Sequence, residues 1–283
     1  MKSKIYIFLL SLNLNLFSQS SLNLSTSADA ISLGEALTSF SSMNSAKYNP
    51  ATLELQNLLQ TSFSHSLGFG NTNSNSLILF FGDTNSSSSI NLQSTSIDDI
   101  EYRLLPGEPI GNFGYKFLNL QYSYAFNISS NYTFGASIKT TYEKIFVDDA
   151  FGFLFDVGVL SKLNDQIKFG TSILNLGVNS KLNNTSSPIP KSFRVGLNYT
   201  PINNFNLLSD LVLVNNEKTK FNFGTLYNFD AISIFAGYYT GNDIKSYSFG
   251  CKIKFANTNL HIAYQPLKYD LGNIQAYDIT IEF

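Results

Sequence analysis

The amino-acid sequence predicts an all-β chain, a transmembrane antiparallel β-barrel of about 14 strands with a short N-terminal hatch inside the lumen. Three observations lead there. Apolar and polar residues alternate with period two through most of the chain. The first twenty residues have the pattern of an export signal, and no later apolar run approaches the roughly 18 residues of a spanning helix. The last strand alternates cleanly and ends on Phe283.

Composition agrees with this class. Only 13% of the 283 residues are charged, against roughly 25% in an ordinary globular domain. Aromatics reach 14%, as 25 Phe and 16 Tyr with no Trp. Such a chain has few charges to hold a surface in water, yet its mean hydropathy is neutral. A barrel averages in this way because each strand gives one face to lipid and the other to the lumen. The net charge of -2 and the lack of a Lys/Arg cluster exclude nucleic acid as a partner. The one cysteine, Cys251, excludes an internal disulfide framework and a cysteine-based zinc cluster, and reads as a small packed residue on a strand.

The ends set the boundaries. Lys2 and Lys4 precede an apolar stretch over residues 5–17, and Ser18 and Ser20 offer small residues for cleavage, so residues 1–20 read as a signal peptide. Residues 21–58 then form the segment before the first strand, and residues 59–283 the barrel. At the far end Tyr277, Ile279, Ile281 and Phe283 share one face, with Asp278, Thr280 and Glu282 on the other. This resembles the terminal signature read by the barrel assembly machinery, and it points to the outer membrane, with outer-membrane lipid around the wall.

Between these ends the alternating runs number about fourteen, of roughly 9–11 residues, the length that crosses a bilayer at barrel tilt. They begin near residues 60, 76, 87, 117, 131, 150, 165, 191, 205, 219, 231, 246, 258 and 274. Short turn-like connections at 83–86, 127–130, 163–165, 201–204, 229–230 and 256–257 alternate with longer ones, the longest at 96–116 and 178–190. Short turns on one rim and long loops on the other are the asymmetry of an outer-membrane barrel. Parity places Lys139, Asp156, Arg194, Asp210, His261 and Asp278 on the lumen side, beside apolar Leu154, Leu208, Val212 and Phe235.

Helical spacing occurs only over residues 28–55, which hold Gly34, Ala36 and then Asn49-Pro50-Ala51. Here the chain resembles the fatty-acid transporter FadL and its PorV/PorQ relatives, which begin with a small-residue stretch leading into Asn-Pro-Ala before the first strand. Leu33-Gly34-Glu35-Ala36 resembles the glycine stretch, and Asn49-Pro50-Ala51 matches the signature. The sequence departs from the family at Asp29, where a basic residue is frequent, at Glu35 in place of a second glycine, and at Ser41 and Ser42 in place of an acidic pair. The resemblance implies a hatch packed inside the barrel, with Pro50 stopping a short helix and Asn49 bonding backbone groups in the lumen. Apolar residues on both faces of the run at 77–81 accord with packing against such a hatch.

No catalytic constellation is evident. His65 shares a face with Phe63 and Leu67, and His261 has Asn259 and Gln265 rather than a carboxylate nearby in sequence. There is no Gly-x-Ser-x-Gly elbow, phosphate-binding glycine loop or His-x-x-x-His pair, and the acidic Asp98, Asp99 and Glu101 read as a solvated loop face. Neither a metal, a cofactor nor an enzymatic role is expected. The resemblance implies a PorV/PorQ-type component or shuttle of type IX protein secretion, with secretion-system proteins as partners, in a Bacteroidota-like organism. The alternative is a FadL-like channel for a hydrophobic ligand.

Overall fold

A computed structural model describes residues 21–53, 55–56, 58–103, 105–180, 182, 189–215 and 217–283. The signal-peptide reading of residues 1–20 lies outside them.

Fourteen antiparallel strands close into one barrel. They are β1 (Leu58–Gly68), β2 (Thr72–Gly82), β3 (Ser86–Tyr102), β4 (Gly111–Ser129), β5 (Tyr132–Ile145), β6 (Asp148–Lys162) and β7 (Ile167–Asn179). The other half holds β8 (Ser192–Ile202), β9 (Phe205–Val214), β10 (Lys220–Phe229), β11 (Ile232–Thr240), β12 (Tyr247–Phe255), β13 (Thr258–Pro266) and β14 (Asn273–Glu282). Every strand pairs with its sequence neighbours, and β14 closes on β1 from Gln60↔Glu282 to Leu67↔Gln275. Closure removes both sheet edges, the condition for strands to lie in hydrocarbon without unpaired backbone groups.

Alternation becomes two faces. Outward residues are large and apolar: Phe63 and Leu67 on β1, Leu118, Leu120, Tyr122 and Tyr124 on β4, Tyr277, Ile279 and Ile281 on β14, with Phe283 just beyond. Inward residues on β1 to β5 are mainly Ser, Thr, Asn and Gln, as in Ser62, Ser64, Gln93, Asn119 and Gln121. The wall thus presents hydrocarbon to lipid and hydrogen-bonding groups to the interior. The barrel fold and its outer-membrane location both follow.

Two expectations change. The region 96–116 is not a long loop: β3 and β4 run far into it, leaving only residues 103–110 between them. A bulge between Ile97 and Ile100, with Asp99 at φ 56°, breaks the period-two pattern and hides the strand. Asp98, Asp99 and Glu101 therefore lie on β3. The alternation of connection lengths also fails twice, since β5 and β6 are joined by residues 146–147 alone and the β1–β2 connection, residues 69–71, is no longer than the one at 83–85. Strands β3 to β6, of 14 to 19 residues, rise above the rest of the wall at the end opposite Phe283, which is the extracellular end in such barrels.

Residues 25–53 are almost entirely buried. They contain helix α1 (Ala28–Ser32) and two 3-10 turns, Met43–Lys47 and Pro50–Thr52. Helix α1 meets β11, β12, β13 and β14, while the second turn meets β4, β5, β6 and β7. Strands from opposite sides touch it, so this segment runs through the lumen.

Candidate functional site

The interface between the inner segment and the wall begins with missing side chains. A Cβ on Gly135, Gly158, Gly170, Gly196, Gly224, Gly237 or Gly250 would fall within 3.0 Å of segment atoms. Six of the seven form cross-strand pairs: Gly135↔Gly158, Gly170↔Gly196 and Gly224↔Gly237. These glycines are spaces into which the segment backbone sinks. Gly34 is needed from the other side: its φ is +65°, and a Cβ there would meet the backbone of Phe223 and Tyr238.

The Asn-Pro-Ala residues serve the same contact. Asn49 Nδ2 donates to the carbonyls of Thr38 (2.7 Å) and Val159 (3.2 Å), and its Oδ1 accepts from Ala51 N (3.0 Å). Pro50 is the first residue of the second 3-10 turn, so it opens a turn where the sequence suggested it would stop a helix. A missing N–H is harmless at that position. Ala36 and Ala51 are fully buried, Ala36 among Leu33, Leu37, Tyr48 and Leu208. Ile78 and Phe80 of β2 pack on Met43, Ala46 and Leu53, which explains the two apolar faces at 77–81.

All six inward charged or histidine candidates are buried, but they form separate groups. Arg194 bonds Asp210 (2.9 Å), the Thr38 hydroxyl (2.9 Å) and the Glu35 carbonyl (2.6 Å), and lies over the Tyr48 ring. Asp210 also accepts from Thr38 N at 3.0 Å. Lys139 pairs with Asp156 at 2.6 Å and bonds Asn175 at 3.0 Å. That pair braces the wall: Asp156 accepts from Asn175 N (2.8 Å) at a bulge where Asn175 has φ 62°.

The third group docks α1. Asp278 accepts from Ala28 N at 2.9 Å to each oxygen, capping the helix start. Asp29 lies 2.8 Å from His261 Nδ1 and 2.9 Å from Lys252 Nζ, and accepts from Asn44 at 3.2 Å. Burial acts to raise the Asp29 pKa, but the Lys252 ammonium and the His261 bond outweigh it and hold the carboxyl well below its usual range. Glu35 pairs with Lys245 at 2.6 Å. Burial raises its pKa too, yet Lys245 brings it down to about 2. Both residues depart from the family pattern, and both anchor the segment to β11–β12 neighbours that sequence proximity could not reveal.

His261 corrects the sequence reading in one respect, because it does have carboxylate neighbours, Asp29 and, across the strand pair, Asp278. Its Nε2 lies 3.3 Å from Ser32 Oγ. Serine, imidazole and carboxylate are thus aligned as in a nucleophilic relay. However, Ser32 is fully buried and Gly250 abuts both Ser32 and His261, so no acyl group fits beside the hydroxyl. The alignment holds α1 in place. His65 faces outward and bonds Asn75.

Above the segment, at the extracellular end, lies an apolar cluster. Ile97, Tyr115, Phe117 and Ile145 are buried there, with Leu22 of the segment, Ile100, Phe113 and Leu182 packed on them. Beyond it Leu105, Ile110, Phe146 and Val147 are 52–78% exposed on the rim. Below the segment, a cavity of about 460 Å³ opens among Asp29, Asn44, Gln60, Lys252, Lys254 and Glu282. The outer mouth thus carries an apolar cluster on its β3–β5 side, and the inner mouth a polar cavity.

No protein-family model matches the chain, and no curated protein matches it. Solved structures do. The Pseudomonas putida toluene transporter TodX is similar with TM-score 0.65 at 13% identity, covering 90% of this chain and 96% of that one. The CymD monoaromatic hydrocarbon channel gives TM-score 0.68 at 11% identity, covering 91% and 96%. A Pseudomonas aeruginosa FadL homologue gives 0.60 at 10% identity, covering 92% and 98%. At these identities the likeness is one of fold: the chain has the architecture of FadL-type outer-membrane barrels.

Proposed function

We propose that the protein carries hydrophobic small molecules across the outer membrane. The observation that carries this reading is the apolar outer mouth. Exposed Leu105, Ile110, Phe146 and Val147 lead onto buried Ile97, Tyr115, Phe117 and Ile145, and that cluster ends on Leu22 of the inner segment. An exposed apolar patch continuous with a buried one is a surface for collecting apolar solutes from water. The inner segment then acts as a hatch that a solute must displace. The fold's likeness to a toluene transporter and a monoaromatic hydrocarbon channel supports this reading. Nothing among the described residues or these neighbours supports a part in type IX secretion.

Deletion of the gene tests the proposal, with uptake of a radiolabelled monoaromatic hydrocarbon and the profile of secreted proteins measured together. Uptake is expected to fall and to return on complementation, with secretion unchanged. Unchanged uptake with loss of secreted proteins would overturn it.

A further inference from the structure

Between the inner segment and strands β5 to β10 lies a cavity of about 50 Å³, in the extracellular half of the lumen. Lys47, Lys139, Arg194 and Lys220 line it, with Glu35 the one carboxylate on its wall among the described residues. Most of these charges are balanced behind it: Lys139 by Asp156, Arg194 by Asp210, Lys220 by Glu217, and Glu35 by Lys245. Lys47 has no carboxylate partner among the described residues. Its ammonium donates to the Leu24 carbonyl and to Gln93 Oε1 (3.1 Å), leaving one of three donors over. The Arg194 bonds run through Nε and Nη2, so Nη1 is also unspent. Burial, and then repulsion from Lys139, bring the Lys47 pKa down to about 7 against the attraction of Glu35.

We infer that this cavity holds one small monoanion, of halide or nitrate size, which neutralises the surplus charge of Lys47 and ties the segment to the wall. A buried cation without a partner is costly, and an anion seated among Lys47, Lys139, Arg194 and Lys220 removes the cost. Size restricts the occupant. The cavity has room for one or two water-sized bodies, which admits a bare ion and excludes a hydrocarbon chain. The inference stands independently of the uptake reading, since it concerns what holds the segment.

Crystals of the full chain grown or soaked with bromide test it directly. Anomalous density is expected in the cavity of the wild type and not in Lys47→Met. In detergent, bromide and nitrate should raise the temperature at which the barrel loses its folded gel mobility. Removing a charge-assisted hydrogen bond should raise the bromide concentration needed for that effect by about tenfold or more in Lys47→Met. Absent density, or density undiminished in the variant, would overturn the inference. So would binding confined to carboxylates with a hydrocarbon tail, such as decanoate, which would make the cavity a head-group site. If Lys47→Met does not fold, Lys220→Gln decides: it retains the wall and should bind bromide more weakly, and unchanged affinity counts against the ion.

Discussion

Replacing Arg194 with Met should undock the inner segment, and the structure sets the size of the effect. Arg194 and Asp210 are 6% and 2% exposed, so the change leaves a carboxylate buried with only the Thr38 bonds to hold it. Breaking such a pair costs about 3–5 kcal/mol. The same change removes the bonds to the Glu35 carbonyl and the Thr38 hydroxyl, which belong to the segment alone. The barrel's own strand pairing is untouched, so the loss should fall on the segment. Limited proteolysis of folded protein in detergent, scored for cleavage within residues 21–53, reads this out against the heat-shifted gel mobility of the barrel. Arg194→Met should be cut readily while the mobility shift persists. Arg194→Met with Asp210→Asn removes the stranded charge and should regain much of the protection, because replacing both members of a buried pair is often neutral. A single variant as protected as the wild type, or a double variant worse than the single, would refute the reasoning.

Other consequences follow from the same geometry. Gly158→Val sets side-chain atoms against Asn49 and Pro50, so it should also expose the segment to protease while the barrel still forms, as judged by gel mobility. The folded pKa of Lys47, about 7, lies below its ordinary 10.5, so the unfolded chain binds more protons between those values and stability must rise with pH across that window. Protection of the segment should therefore increase from pH 7 toward 10.5 in halide-free buffer, and Lys47→Met should flatten the trend; a trend of opposite sign contradicts it. Cys251 is exposed on the outer face of β12, between Ile234 and Ile262 on the neighbouring strands. In outer-membrane vesicles it should react with a lipid-soluble maleimide and resist a charged, impermeant one, and the reverse would place β12 outside the bilayer.

Strand number and inward faces were legible because each strand contacts its sequence neighbours and alternation reports directly on the two solvents. Thirteen of the fourteen strands start within four residues of the predicted positions, and β4 starts six residues earlier. What could not be read was any contact between the segment and the wall. Asp29 meets His261 and Asp278 meets Ala28 across more than 200 residues, and no local pattern encodes such a pairing. The glycines were visible as gaps in the inward rows, but their reason, a backbone pressed against them, needs the third dimension. Asp29 and Glu35 drew notice only as departures from a family pattern. A stronger clue was present in the charges themselves, since an inward Lys252 needs a carboxylate that its own strand, β12, does not supply. The β3 and β4 extensions were missed because one bulge reverses the parity of the residues beyond it.

The account rests on a barrel whose own N-terminal segment closes the lumen. Ion conductance of the purified protein in a planar lipid bilayer tests that most directly. The wild type is expected to be nearly silent, and the Arg194→Met variant to open discrete ohmic channels as its segment leaves the lumen. Steady porin-like conductance from the wild type, equal to that of the variant, would contradict it.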